Sequence, residues 1–503
     1  MITLENFIVL RKLTVGNIHI EPRQVKAKYT VEKFSGETES AEFIYSYDHA
    51  YFDRKNAHDI NLASMMLAQV AFNYGLFCEV IEFDGLYDRT DRRFIEDMMG
   101  NTSREILTNK LLIRNEFIKP PYDSLKPAKR KRYTMARLVF ANNAYSELRL
   151  SSQGEETDRN KYAILSSGGK DSLLTYGMIR EMGEAYPVFI NEAGRHWFTA
   201  VNAFRHYKQI EPNTEKPWCN SDRIFNWMVR QLPFIKENYA SIRADIYPIR
   251  LWTVAVFLFG VVPVVRKKGI GNVLIGDEYD TTLKGNTEGI SHYNGLYDQS
   301  KYFDNAMTRY YRDKGWKIKQ YSILRSMSEL LIMKALVKRY PKLQEQQVSC
   351  HAAHKVDERM YPCGKCEKCR RIIGMLKALD EDPGRCGYSS QQITEGLQAL
   401  EKRSVKQIGS DASHLYHMLM KKGLIARNLH TEKLAKPHPE ITALRFDNER
   451  SCLEDLPMHV RKPVFDILKQ YADGAVKRAG QRWEAIMVDD AFLASVNYKL
   501  ENS

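Results

Sequence analysis

No stretch of the chain is both long enough and apolar enough to cross a bilayer. The most hydrophobic run, Leu251 to Val265, has fifteen residues and is closed off by Arg250 and Arg266, whereas a span needs about 20. It reads as a buried helix, and no membrane partner is expected. The opening residues Met1-Ile2-Thr3-Leu4-Glu5-Asn6 lack a basic segment followed by an apolar core, so a secretory signal is not expected and the cytoplasm is the expected location. Internal repeats and low-complexity tracts are missing as well. Cysteine is sparse, eight in 503 residues, yet half of them fall within twenty residues. Without an export signal, that clustering points to a metal rather than a disulfide framework.

Aromatic residues are missing from within the densest basic stretch, Lys126-Pro127-Ala128-Lys129-Arg130-Lys131-Arg132, although Tyr133 follows it. Base stacking needs interleaved aromatics, so a solvated linker is the favoured reading over a nucleic-acid patch. The net charge of +13 still permits a polyanionic partner such as nucleic acid.

A chain of 503 residues implies two to four domains of ~100–200 residues. Three are expected: an N-terminal α+β accessory domain over 1–155, an α/β domain over 156–385 that ends in the cysteine cluster, and a helical domain over 386–503. In the first, Thr3 to Val15 and Val25 to Phe34 read as strands, Ile60 to Tyr74 and Arg92 to Lys110 as helices, and Lys119 to Tyr133 as a linker. That domain carries no chemical motif and is read as a substrate-shaping or homo-oligomerisation unit. In the second, the apolar strands Tyr162 to Leu165, Pro187 to Ile190 and Ile270 to Gly276 alternate with helices, which predicts a parallel sheet covered on both faces. In the third, Ser390 to Lys402, Asp411 to Lys422 and Val464 to Arg482 read as helices, the last starting after Pro463.

The strand ending at Leu165 runs into Ser166-Ser167-Gly168-Gly169-Lys170-Asp171-Ser172 and then a helix. Glycines let the backbone turn tightly and approach a ligand. The first amides of a helix have no intrahelical partner and favour an anion. Ser167 and Ser172 add hydroxyl donors, and Lys170 adds a positive charge. The spacing is neither that of the common NTPase loop nor that of a dinucleotide fingerprint.

The second motif is Cys350, followed by Cys363-Gly364-Lys365-Cys366-Glu367-Lys368-Cys369. Two-residue gaps let thiolates converge on one ion, and four thiolates close a tetrahedral zinc shell with no open position, so the Zn²⁺ is expected to be structural. An iron–sulfur cluster is the alternative occupant. His351 and His354 lie close enough to replace one thiolate. Lys365, Lys368, Arg370 and Arg371 are expected to offset the thiolate charge.

The first motif matches the Ser-Gly-Gly-x-Asp-Ser signature of the PP-loop ATP pyrophosphatases, a superfamily with an adenine-nucleotide alpha-hydrolase-like (HUP) fold. Both motifs in this order resemble the 7-cyano-7-deazaguanine synthase branch, which ends in a Ser-Cys element and a Cys-Gly-x-Cys-x-x-Cys element, here Ser349-Cys350 and Cys363 to Arg370. Ile275-Gly276-Asp277-Glu278-Tyr279-Asp280 resembles that family's acidic strand end. Asn191 to His196 resembles its turn enclosing the nucleotide, with Arg195 and His196 as the contacts. The resemblance covers roughly 160–375 and neither end of the chain. Longer relatives include an ATP-dependent epimerase acting on the glutamate of a muramoyl dipeptide and synthase-like proteins of anti-phage operons.

The resemblance implies ATP and Mg²⁺ as cofactors and an enzyme that adenylates a carboxyl or amide acceptor, small molecule or protein. Pyrophosphate leaves, and a nucleophile then displaces AMP. Ser166, Ser167, Gly168, Gly169, Lys170, Asp171 and Ser172 would hold the phosphates. Arg195, His196, Gly276 and Glu278 would border the nucleotide. Lys170, Asp171, Asp277 and Asp280 would be catalytic, the last two on the acceptor side. Thr281 to Asp304, with His292 and Tyr293, reads as a lid. The rival reading is a nucleic-acid-binding or scaffold protein that keeps an ATP site without turnover.

Overall fold

The computed structural model describes residues 2–142, 156–242, 247–407 and 409–501. The expected boundary at 155 lies outside the described residues, in the segment 143–155.

Four strands, Asp158–Leu165, Glu184–Val188, Ile270–Ile275 and Lys319–Tyr321, pair in parallel throughout. Taken in chain order they lie 4-3-1-2 across the sheet. Side chains alternate between two cores. Ala163, Val188 and Val273 face one, whereas Ile164, Ala185 and Leu274 face the other. The first is filled by the helix Val254–Lys267, and the second by Lys170–Arg180, Arg195–Ile210 and Glu329–Arg339. The expected parallel sheet with helices on both faces is therefore present. Its three-residue fourth strand, Lys319–Tyr321, carries too short a pattern to be read from sequence.

The N-terminal segment forms a mixed sheet from Leu10–Glu21, Gln24–Lys33, Thr38–Ser46, Cys78–Phe83 and Arg137–Phe140, with Trp218–Cys219 added at one edge. Its buried face belongs to the same apolar cluster as the first face of the parallel sheet. Between them lies the helix Val254–Lys267, whose carbonyls at Val256 and Gly260 accept from the Tyr45 and Tyr47 hydroxyls at 2.7 and 2.8 Å. Asp298 caps that helix, accepting from the amides of Thr253, Val254 and Ala255. Among the described residues, no helix is long and apolar enough to cross a membrane.

The C-terminal region departs from the all-helical expectation. Ser390–Leu400 and Gly409–Lys421 are helices, but the third helix runs over Met458–Leu468 with Pro463 inside it. Ala475–Ala479 and Arg482–Ala485 then form an antiparallel hairpin, joined in parallel by Leu444–Phe446. Gly474 and Gly480 have φ of 103° and 60°. These left-handed conformations break a helix and turn a hairpin, and they divide what hydrophobic spacing alone reads as one helix.

Candidate functional site

In an open parallel sheet, ligands bind outside the carboxyl ends of the strands where strand order reverses. Here that point lies between Asp158–Leu165 and Ile270–Ile275. The loops leaving those two strands are Ser166 to Gly169 and Gly276 to Glu278, both singled out by sequence. The second abuts the helix that follows the first: a β-carbon on Gly276 would lie 2.8 Å from the backbone carbon of Asp171, in the first turn of Lys170–Arg180. Gly168 has φ of 74°, and a β-carbon there would collide with the Thr199 carbonyl oxygen. The Thr199 hydroxyl also hydrogen-bonds to the Ser167 carbonyl at 3.2 Å, so the loop is seated on the first turns of Arg195–Ile210. Ser172 Oγ accepts from the Ser167 amide at 3.3 Å and donates to the Gly169 carbonyl at 3.1 Å. Gly169 is the N-cap of Lys170–Arg180 and supplies no capping side chain, which leaves first-turn amides facing outward from the loop for an anion.

Lys170 is turned inward. Its amine, 6 % exposed, lies 2.9 Å from Asp171, 3.2 Å from Glu278 and 3.5 Å from Glu329. The three carboxylates overcome the burial that would strip its proton, and its pKa is raised. Burial pushes Asp171 up, and Glu278 well above the carboxylate range, with Lys170 opposing in both cases. Glu329 is held down at about 2, because Lys170 and Arg371 outweigh its burial. Arg371 Nη1 is 3.2 Å from Glu329, and Gln407 Nε2 donates to Glu329 at 2.7 Å.

Asp277 and Asp280 point elsewhere. Asp277 pairs with Arg325 at 3.4 Å, and Arg325 pairs in turn with Asp304 at 2.6 Å. This buried network ties the strand end to the helix Lys301–Asp313. Asp280 faces the C-terminal region, 4.0 Å from Arg450. Tyr279 lies under the Arg445 guanidinium, 4.0 Å from its ring centre. Arg195 is exposed. His196 hydrogen-bonds to the Tyr247 hydroxyl at 2.7 Å and packs on His351 with ring centres 4.4 Å apart.

The segment 281–304, read from sequence as a lid, is packed against the body of the fold. Glu105 accepts from the amides of Tyr293 and Gly295, Asp298 caps a buried helix, and His292 is buried beside Thr287. These long-range anchors leave no signal in local composition.

Sequence reasoning missed Glu329, Arg325, Gln407, Asp411 and Arg445. Glu329 follows the N-cap Ser328 at the first position of its helix, where an acid reads as dipole complement. Arg371, expected to neutralise thiolates, instead spans from the cysteine element to Glu329.

The four cysteines converge: their sulfurs lie within 4.8 Å of one another, and Cys363–Cys369 and Cys366–Cys369 are 3.8 and 3.5 Å apart. A tetrahedron with zinc–sulfur bonds of about 2.3 Å has edges of about 3.8 Å, so the thiol set fits zinc. Cys350 comes from the loop before the hairpin His354–Val356/Arg359–Tyr361, and Cys369 from the first turn of Glu367–Ala378. Gly364, at φ of 72°, makes the turn, and the Cys366 amide points at Cys363 Sγ, 3.4 Å away. Neither histidine is needed, since His351 packs on His196 and His354 is exposed. Among the described residues this is the one grouping with metal-holding geometry.

The site also carries a pH dependence. Burial pushes Asp411 up to about 8; Arg445 opposes this, while Asp280 and Glu329 add to it. A raised carboxyl stabilises the fold fully below its unfolded value of about 3.9, and that contribution is lost as pH rises through about 8. Asp411→Asn cannot ionise. Its stability relative to wild type is expected to improve from about pH 4 to pH 8 and to level off above, read as urea midpoints. A difference that stays flat with pH would place the titration elsewhere.

No family model and no curated protein matches the chain. The fold and site define a mixed α/β protein with a parallel sheet and a four-cysteine cluster able to hold a metal.

Proposed function

We propose that the chain is a PP-loop ATP pyrophosphatase of the HUP fold, resembling 7-cyano-7-deazaguanine synthase. In this reading it adenylates a carboxyl or amide acceptor and releases pyrophosphate. The observation that carries the reading is the Ser-Gly-Gly-Lys-Asp-Ser turn at the switch point of the parallel sheet, with uncapped helix amides beside it. Those amides, with the Ser167 and Ser172 hydroxyls, would hold the leaving pyrophosphate and stabilise its developing charge. Gly276 allows the acidic strand end to approach the loop. Lys170 acts as a positioning residue, fixing Asp171, Glu278 and Glu329 rather than reaching for a phosphate. Asp171 and Glu278 are engaged by Lys170, so the residues present form no preformed Mg²⁺ cage. The cation would arrive on the nucleotide phosphates, as Mg²⁺ with few protein ligands commonly does. Zinc would be held by Cys350, Cys363, Cys366 and Cys369, and its chemistry there is structural.

The test is product analysis. ATP labelled at the α- or γ-phosphate, incubated with candidate carboxylic acids and amides, is expected to yield AMP and pyrophosphate, and acceptor-dependent ATP–pyrophosphate exchange. ADP and phosphate as the only products would rule out adenylation.

A further inference from the structure

The end of the basic run that sequence reads as a linker forms one wall of a cleft. The cleft, of about 760 Å³, lies between the helix Arg89–Ile106, the segment 131–133 and the helix Lys301–Asp313. Five cations line it: Arg93 and Arg104 from the first helix, Lys131 and Arg132 from the linker, and Arg309 from the second helix. Arg93, Lys131, Arg132 and Arg309 are exposed, and none forms an ion pair or hydrogen bond among the described residues. The opposing charges are fewer. Of the lining acids Glu96, Asp97 and Asp313, Asp313 is already held by Arg312 at 2.8 Å.

Arg104 supplies a second, independent observation. Its Nε and one terminal nitrogen are buried without a hydrogen-bond partner. Its interaction with Glu105 is a 3.5 Å ion pair, and the Glu105 oxygens already accept from the Tyr293 and Gly295 amides. Tyr133 and Tyr297 line the same cleft, so an aromatic surface is present after all, assembled from segments distant in sequence.

We propose that this cleft binds a single strand of nucleic acid, its phosphates on the five cations and a base against Tyr133. Cationic grooves with aromatic platforms bind strands in this way without reading sequence. A concave channel between two helices admits a strand, whereas a duplex needs an element projecting into its groove. The site is separate from the nucleotide loop and does not depend on the ATP reading. The helix that carries Arg309 also carries Asp304, whose carboxylate anchors Arg325, and Arg325 in turn holds Asp277, so one element serves both places.

The experiment is fluorescence anisotropy of a labelled single-stranded oligonucleotide, as RNA and as DNA, against the full-length protein. Its duplex and a poly-glutamate peptide serve as competitors. Arg93→Glu combined with Arg309→Glu is expected to weaken binding by at least about ten- to a hundred-fold, the worth of one charge-assisted hydrogen bond. The slope of log affinity against log salt should also become shallower, by about 0.7 for each phosphate no longer neutralised on a single strand. Lys126→Glu with Lys129→Glu changes the net charge equally but lies outside the cleft, and should bind nearly as wild type. The exposed substitutions should leave zinc content and melting temperature unchanged. Photocrosslinking of a bromouridine strand, mapped by mass spectrometry, should mark Tyr133. Equal weakening in the Lys126/Lys129 variant, competition by duplex or polyglutamate as strong as by the strand, or crosslinks confined to other surfaces would overturn the proposal.

Discussion

Replacing Cys366 with serine is expected to release the bound metal and to collapse the region from Cys350 to Lys421. The native protein should carry about one zinc per chain, since four thiolates fill the shell. The case rests on what the cluster holds together. Cys350 and Cys369 are buried in an apolar core with Leu330, Met333 and Val337 of one helix and Leu400, Leu415 and Leu419 of two others. Between Cys350 and Cys366, however, the chain is a short hairpin and turns with little burial of their own. Zinc binding in small cysteine domains supplies about 10–16 kcal/mol at neutral pH, comparable to the whole stability of a typical domain, about 5–15 kcal/mol. Elemental analysis, chelator-triggered proteolysis and thermal melting together report the outcome. The proposed nucleotide site should fail in parallel, because Arg371 reaches Glu329 from the cysteine helix. Arg371→Met, by contrast, should keep its zinc. Metal-free protein that melts as native protein does, or the visible absorbance of an iron–sulfur cluster, would refute a structural zinc.

The two halves of the site differed in how far sequence could reveal them. The Ser166 to Ser172 turn and the cysteines are local: each packs its chemistry into a few consecutive residues, so spacing alone states which atoms can converge. Gly276 was legible for the same reason, as a glycine closing an apolar strand. The residues that surround Lys170 are not local. Glu329 lies 159 positions from it, Arg371 lies 201, and both differences follow from chain numbering. Each in isolation looks like an ordinary helix-end charge. The direction of Lys170 was likewise hidden. A lysine in a glycine turn reads as a phosphate ligand, and the three carboxylates that the fold sets against its amine come from other parts of the chain or from its own neighbour. Asp277, Glu278 and Asp280 are nearly consecutive, yet they face an arginine network, the lysine and the C-terminal region respectively. Extended and 3-10 backbone after a strand sends successive side chains in different directions, and no motif encodes that divergence. The missed C-terminal hairpin depends on Gly474 and Gly480, whose positive φ marks turns that an apolar count passes over.

Lys170→Met is expected to cost stability before it costs affinity. Methionine keeps the length and packing of the side chain but leaves Asp171, Glu278 and Glu329 beside one another with Arg371 as the one remaining cation paired to Glu329. Breaking a buried charge cluster by removing one partner typically costs about 3–5 kcal/mol. The pH dependence gives the signature. In the native protein Glu329, depressed to about 2, contributes stability that is present above its unfolded value of about 4.3 and is lost only as pH falls toward 2. Without the lysine, the three carboxylates should retain protons, so each has a folded pKa above its unfolded one. Their contribution is then present at acid pH and lost as pH rises. Wild type and variant should therefore converge only as pH falls toward 2 and separate toward neutrality, in urea denaturation followed at several pH values. Glu278→Gln added to Lys170→Met removes one of the stranded charges and should recover part of the loss, a coupling that independent sites would not show. Nucleotide binding should weaken in the single variant and return in part with the double one, because the lysine acts through the carboxylates it holds. If Lys170→Met instead melts as wild type does while ATP binding disappears, the amine serves the phosphates directly, and its ion pairs with Asp171, Glu278 and Glu329 are a resting arrangement that the nucleotide displaces.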